Sequence, residues 1–116
     1  MKREIEKHMS TVSLSETGAA AEFIFPDTFK GFQGHFPGNP IVPGVCLIQC
    51  ALVLAEEALG KSLEVKMIKN AKFVATISPM QPVRLECTFN ERKIVGAEFT
   101  SDGNRIASLK LVVKDA

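Results

Sequence analysis

One segment of this 116-residue chain concentrates residue types that can do chemistry. It runs from Gly34 to Val45 with the sequence GHFPGNPIVPGV, which holds three prolines and three glycines. Each proline restricts its own φ and the residue before it, so the composition predicts a stiff loop. A stiff loop is suited to holding a side chain at a fixed place, and its polar candidates are His35 and Asn39.

His35 is the candidate catalytic base. A histidine has an ordinary pKa of about 6.5, so its imidazole can be neutral near pH 7 and accept a proton from carbon. The alternative is a structural histidine whose ring ties the loop to a carbonyl group. Asn39 has no comparable acid–base chemistry. The other histidine, His8, stands beside the charged N-terminus without a motif, and we expect it to have no catalytic role.

A long helix is predicted directly after this loop. No proline follows Pro43 before Leu59, and Gly60 is suited to end a helix. The first backbone N–H groups of a helix, here including that of Gly44, lack partners within the helix and can hold a developing negative charge. The predicted helix is apolar on nearly all sides, so other structure must enclose it.

Gln49 is the one strongly polar side chain between Gly44 and Glu56 in the predicted helix. Burying an unpartnered amide is costly, so a polar group is expected to face Gln49. The alternative is a buried structural amide whose hydrogen bonds are made by its neighbours.

The rest of the chain predicts antiparallel strands. Residues 84–89, RLECTF, alternate as a half-buried strand does, and the segments 16–18, 90–93 and 102–104 have turn composition. We expect the last four strands to form a meander, and the whole to be an α+β fold with a curved sheet around the helix. The predicted strands are Met9–Ser15, Ala20–Phe25, Val65–Ile77, Val83–Asn90, Ile94–Ser101 and Arg105–Lys114.

The loop and helix start resemble a known signature. The run from Gly34 to Val45, preceded by Phe32 and Gln33, is similar to that of bacterial 3-hydroxyacyl-acyl-carrier-protein dehydratases, which have the hotdog fold. Residues 70–86, from NAKF to VRLE, resemble the later strands of that family more weakly. The resemblance covers roughly residues 29–113 and implies one hotdog domain over residues 1–116.

The resemblance also implies an activity and a site. The activity is a hydro-lyase reaction that converts a 3-hydroxyacyl thioester to a trans-2-enoyl thioester in fatty-acid or related acyl-chain synthesis. His35 would take the proton, and the Gly44 amide would hold the thioester carbonyl. Pro43, Val45 and Phe36 would complete the substrate-binding residues, and the reaction would need no metal or redox cofactor.

Gln49 departs from the family pattern. The helix position five residues after Gly44 carries Glu or Asp in that family, and this carboxyl protonates the departing hydroxyl. An amide can hydrogen-bond a hydroxyl or position a water but has no acidic proton to give. Losing a general acid typically slows a reaction by about 10²–10⁴-fold. Glu56 and Glu57 lie about 10 Å further along the helix and are expected to be solvated.

Two other functions remain open beside the dehydratase. One is a protein that binds acyl thioesters without catalysis, or that serves as the inactive partner of an active subunit. The other is an acyl thioesterase in which Gln49 and the Gly44 amide orient a water, although His35 in this loop argues against it.

The expected partners follow from the resemblance. The substrate would be carried by acyl carrier protein or coenzyme A, and the chain would form a homodimer with each site built across two subunits. A heterodimer with an active paralogue is the alternative. Relatives often carry basic residues where this chain has Val74 and Ala75, so the carrier stays open, as do acyl-chain length and pathway. Lys66, Lys69 and Lys72 are read as ordinary solvated surface.

Composition narrows the class of protein. A net charge of +1 gives no basic excess for nucleic-acid binding, and 46% hydrophobic residues are too many for a disordered chain. The N-terminus lacks the apolar run of a secretory signal, and the apolar stretch Ile41–Ala55 is shorter than the roughly 18 residues of a membrane span. We therefore expect a cytoplasmic protein, with Cys46, Cys50 and Cys87 as reduced core thiols and no metal site.

Overall fold

The structure is a computed structural model that describes residues 2–29, 42, 44–90 and 92–116. Most of the motif loop, including His35, Phe36 and Pro43, lies outside the described residues. The roles expected for these three residues therefore stay predictions. Gly44, Val45 and Gln49 lie inside the described part.

The described part contains two helices and six strands. The elements are α1 (Lys2–Glu6), β1 (Ser13–Leu14), β2 (Gly18–Phe23), α2 (Gly44–Leu59), β3 (Leu63–Phe73), β4 (Val83–Phe89), β5 (Ile94–Ser101) and β6 (Asn104–Asp115). The predicted long helix is confirmed as α2. It ends where expected, because Gly60 adopts a φ of 67° that a residue with a side chain rarely takes.

The six strands form one antiparallel sheet in the order β1-β2-β4-β5-β6-β3. Its inner face lies against α2, which contacts four of the strands. One row of paired residues on that face consists of Ala19, Cys87, Ala97 and Leu109, and all four are buried. The predicted α+β architecture, a curved sheet around one apolar helix, is confirmed.

The position of β3 corrects the predicted four-strand meander. β4, β5 and β6 do form a meander, but β3 pairs with β6 and lies at the sheet edge, three strands away from β4. The connecting residues 74–82 therefore cross from one side of the sheet to the other. β3 also ends at Phe73, four residues earlier than predicted, and register shifts after Val65 and Lys69 bend it.

The N-terminal residues form a short helix that the charge pattern did not predict. In α1, Ile5 is fully buried and packs with α2, which explains how so charged a segment is ordered. The predicted first hairpin is present, but β1 is only two residues long. Before it, the chain is held to β2 by the Met9–Phe23 bridge. No helix among the described residues is long and apolar enough to cross a membrane.

Candidate active site

The first turn of α2 forms one side of the candidate site. Gly44 is the first helical residue and is partly exposed, so its backbone N–H stands at the positive end of the helix dipole. Just before the helix, the Val42 N–H donates a hydrogen bond to the Ile77 carbonyl at 2.9 Å. This bond ties the approach to α2 to the segment that follows β3. The helix start is therefore held at a defined place beside the sheet.

Gln49 lies on α2 about 7.5 Å further along the helix axis than Gly44. Its side chain is partly exposed, and no group in the described residues hydrogen-bonds to its amide. Within the described residues, the alternative of an amide satisfied by its neighbours finds no partner for Gln49, and the role of this side chain stays a prediction. Val45, one turn earlier, is 64% exposed, and Ile48 is partly exposed as well. No other described residue covers the side of α2 that carries Gln49 and Val45.

The two glutamates near the end of α2 do not replace the missing carboxyl group. Glu56 Oε2 accepts a hydrogen bond from the Leu63 N–H at 2.8 Å, so this carboxylate fastens the start of β3 to the helix. Glu57 is exposed. The structure confirms that neither glutamate lies at the helix start, where the candidate site is.

His8 packs on aromatic side chains of the core. Its ring meets the rings of Phe25 and Phe29 edge to face, with centroids 6.0 and 5.9 Å apart. Phe25 and Phe29 are both buried, so His8 covers the edge of an aromatic cluster. The expectation that His8 has no catalytic role stays a prediction.

The three cysteines are free thiols in the core, as predicted. Burial raises the pKa of Cys87 to about 12, and burial also raises the pKa of Cys50 and Cys46. A thiol is nucleophilic as its thiolate, so these residues are poor nucleophiles in the folded protein. Among the residues that the structure describes, no group of three or more His, Cys, Asp or Glu side chains is placed to hold a metal ion.

We expect all three thiols to resist modification while the protein is folded. Cys46, Cys50 and Cys87 are each at most 3% exposed and are held protonated by burial. Iodoacetamide at pH 8 should therefore leave the native protein unmodified and label three cysteines after unfolding in guanidinium chloride. Mass spectrometry would count the labels. Rapid modification of one cysteine in the native protein would contradict the described packing.

Phe73 belongs to the site, although the sequence singled it out only as part of the second motif. A Cβ atom placed on Gly44 would lie 3.2 Å from Phe73 Cζ, so the aromatic ring rests directly against the helix start. The ring is about half exposed. It therefore forms a wall beside the Gly44 amide.

The outer face of the sheet has a different character. A depression of about 280 Å³ lies there, and its lining includes Thr88, Glu98, Arg105 and Lys110. Arg105 and Glu98 form an ion pair at 2.8 Å across it. The sheet separates this charged depression from α2, so it has no access to the Gly44 amide or Gln49.

Comparison with known proteins places these features in a family. A family model described as ApeI-like, ApeI dehydratase, matches residues 11–110. The chain is 37% identical over 91 residues to a 3-hydroxyacyl-[acyl-carrier-protein] dehydratase FabZ of Ligilactobacillus salivarius, covering 69% of this chain and 65% of the relative. It is 34% identical over 97 residues to the FabZ of Pediococcus pentosaceus, covering 78% and 60%. The chain thus spans less than two thirds of the length of these relatives.

A solved structure shares the fold. The structure described as the dehydratase heterocomplex ApeI:P from Xenorhabdus doucetiae superposes with a TM-score of 0.83 at 20% identity, covering 90% of this chain and 95% of that one. The similarity over nearly the full length of both chains confirms the predicted hotdog fold.

Proposed function

Because the chain belongs to the ApeI-like dehydratase family, we propose that it removes water from 3-hydroxyacyl thioesters to give trans-2-enoyl thioesters. The observation that carries this proposal is the helix start, where the Gly44 amide, the Phe73 wall and the open Gln49 side chain lie directly after the histidine loop. Pro43, Val45 and Phe36 are the proposed neighbours of the bound acyl group.

In the proposed reaction, His35 removes a proton from C2 of the acyl chain. The electrons of the broken C–H bond move toward the thioester carbonyl, and the Gly44 N–H stabilises the negative charge on that oxygen. The C2–C3 double bond then forms as the C3–O bond breaks. The products are a trans-2-enoyl thioester and water.

The departing hydroxyl must gain a proton in this reaction. Gln49 can donate an N–H hydrogen bond that orients the hydroxyl, but it cannot transfer a proton. The imidazolium formed at His35 holds the proton taken from C2, and we propose that this proton leaves with the hydroxyl as water. The single histidine would then act as base and as acid, which predicts slow turnover compared with a site that has a carboxyl group.

The proposal is tested by turnover of a 3-hydroxyacyl group carried on acyl carrier protein and on coenzyme A. Formation of the enoyl thioester, followed by its ultraviolet absorbance and by mass, is the expected result. Release of free thiol instead would indicate a thioesterase. Acyl carrier protein and coenzyme A both present the substrate on a pantetheine arm, so the two substrates differ only in the carrier. Comparing their turnover shows which carrier the protein uses.

The second candidate function is an acyl-thioester-binding subunit that needs an active partner. Gln49 favours this candidate, because an amide stands where the chemistry calls for an acid. The description of the Xenorhabdus doucetiae neighbour as a heterocomplex is compatible with such a pairing. Acyl-thioester binding without turnover by the natural chain would support this candidate over the dehydratase.

We also propose that two copies of the chain pair through β3. This strand lies at the sheet edge, and all of its residues from Lys66 to Phe73 are exposed. An edge strand of eleven residues leaves a long row of backbone groups available for pairing. Met67 and Ile68 are 53% and 44% exposed there, which favours an apolar partner over water. In such a dimer the Gln49 side of α2 would face the second subunit.

Light scattering is expected to report a dimer at micromolar concentration. Ile68→Glu should weaken the dimer by about tenfold or more, because an unpaired carboxylate in an interface loses its hydration. Leu14→Glu is the matched control, since Leu14 is 68% exposed on β1 at the opposite sheet edge. A monomeric natural chain, or equal effects of the two substitutions, would rule out pairing through β3.

We propose that the protein acts in the cytoplasm, because its proposed substrates occur there. Acyl carrier protein and coenzyme A thioesters belong to cytoplasmic acyl-chain synthesis, and three reduced core thiols are compatible with that compartment. Lys66, Lys69 and Lys72 are all exposed in β3, as ordinary solvated lysines are, and we assign them no role in carrier docking.

A further inference from the structure

The Phe73 ring is held against Gly44 by the backbone around it. Phe73 is the last residue of β3 and pairs with the buried Ala107, so its side chain is on the inner face of the sheet. After it, the N–H groups of Val74 and Ala75 both donate to the Ile106 carbonyl, at 2.8 and 3.2 Å. These bonds fix the base of the phenyl ring.

The contact depends on the absence of a side chain at residue 44. A Cβ on Gly44 would approach three atoms of the Phe73 ring, Cζ at 3.2 Å, Cε1 at 3.3 Å and Cε2 at 3.5 Å. The first two distances are tighter than ordinary van der Waals contact, so a Cβ at residue 44 would require the ring to shift by a few tenths of an ångström. The ring is nevertheless 49% exposed. One part of it therefore packs on the helix start, and the rest is available to a ligand.

We propose that Phe73 is a specificity-determining residue that excludes acyl thioesters with a substituent on the α-carbon. This inference rests on the proposed function, in which the Gly44 amide holds the thioester carbonyl. The carbonyl carbon bears only sulfur and the α-carbon besides its oxygen. Divalent sulfur has no position for an added group, so extra bulk beside the carbonyl can be carried only by the α-carbon. The Phe73 ring beside the amide donor therefore clashes first with acyl chains that carry a substituent on the α-carbon.

The size of the effect follows from the bulk of one methyl group. A hydrophobic pocket usually discriminates by about 10–200-fold between two ligands that differ by one methylene group. We expect the natural chain to bind a straight-chain acyl thioester at least about tenfold more tightly than its 2-methyl counterpart. Removing the Phe73 ring should reduce that preference by about tenfold.

The experiment uses unreactive ligands so that binding is measured apart from turnover. Hexanoyl-pantetheine and 2-methylhexanoyl-pantetheine have no 3-hydroxyl to lose, and calorimetry gives the Kd of each for the full chain. The variants are Phe73→Leu and Phe73→Ala. The control is Val74→Ala, which removes the neighbouring side chain, itself 57% exposed. The ratio of the two Kd values should fall from the natural chain to Phe73→Leu and further to Phe73→Ala, and should stay unchanged in Val74→Ala.

A ratio that is the same in all four proteins would overturn the inference, and so would failure of the natural chain to bind either ligand. Dehydration is assayed separately on straight 3-hydroxyacyl and 2-methyl-3-hydroxyacyl thioesters. If turnover is absent but the Kd ratio changes as expected, the proposed reaction fails and the assignment of Phe73 stands.

A second pair of variants tests the contact without relying on the loss of the ring. Gly44→Ala should weaken binding of the straight ligand, because its Cβ and the Phe73 ring compete for the same space. In the Phe73→Leu background the same substitution should have a smaller effect. Additive effects of the two substitutions would show that the Gly44–Phe73 contact does not control binding.

Discussion

Gln49→Glu is expected to raise kcat/KM for dehydration by about 10²–10⁴-fold. The substitution puts a carboxyl group on the open side of α2, where no described group already hydrogen-bonds to the side chain of residue 49. The new carboxyl could protonate the departing hydroxyl, a step that Gln49 can assist only by a hydrogen bond. Steady-state kinetics on a 3-hydroxyacyl thioester is the measurement, and the gain should appear mainly in kcat.

The pH dependence of the rate tests this prediction independently. An acid catalyst must be protonated before it acts, so the rate of Gln49→Glu should fall as pH rises through the pKa of the new carboxyl group. The natural chain should lack that limb. Leu59→Glu is the matched control, because Leu59 is 43% exposed at the opposite end of α2, about 15 Å along the helix axis from residue 49. Equal activation by both substitutions would argue for a general charge effect instead of a positioned acid.

This experiment also distinguishes the two candidate functions of the natural chain, a dehydratase and an acyl-thioester-binding subunit. Measurable turnover by the natural chain would mean that the site works without a helix carboxylate. Turnover by Gln49→Glu alone would mean that the natural chain binds acyl thioesters and depends on another subunit for the acid. No gain in Gln49→Glu, with binding intact, would mean that residue 49 does not face the substrate hydroxyl.

His35→Ala is expected to lower kcat/KM by about 10²–10⁴-fold or to abolish turnover. The proposed reaction begins with proton removal from C2, and His35 in the motif loop is the proposed base. Since the base must be neutral, the rate of the natural chain should rise as pH increases through the pKa of the imidazole and then level off. Kinetics between pH 5 and 9 tests both statements.

The matched control for this prediction is the other histidine. His8 packs its ring on Phe25 and Phe29, so His8→Ala should lower the free energy of unfolding while leaving the pH profile unchanged. Thermal unfolding monitored by circular dichroism separates the two effects. If His35→Ala retained full activity, both the assignment of the base and the proposed reaction would have to be abandoned.

The sequence alone was sufficient for the long helix, for the last three strands and for the family. The apolar run that ends at Gly60 predicted α2 to within one residue at its start, because helix propensity and glycine stops act over a few neighbouring residues. Alternating polarity and turn residues predicted β4, β5 and β6 for the same reason. The loop motif around His35 indicated the family, and the single amide among apolar helix residues drew attention to Gln49.

Only the tertiary structure decided which distant segments meet. The sequence of β3 does not indicate that it pairs with β6, some forty residues later, instead of with β4, which follows it. Strand pairing depends on the partner as much as on the strand itself. Ile5 is buried because α2 supplies the surface that covers it, and that surface is remote in sequence. The contact between Phe73 and Gly44 likewise joins the end of one element to the start of another. A side chain's neighbours are set by the packing of the whole sheet on the helix, so the wall beside the amide became visible only in three dimensions.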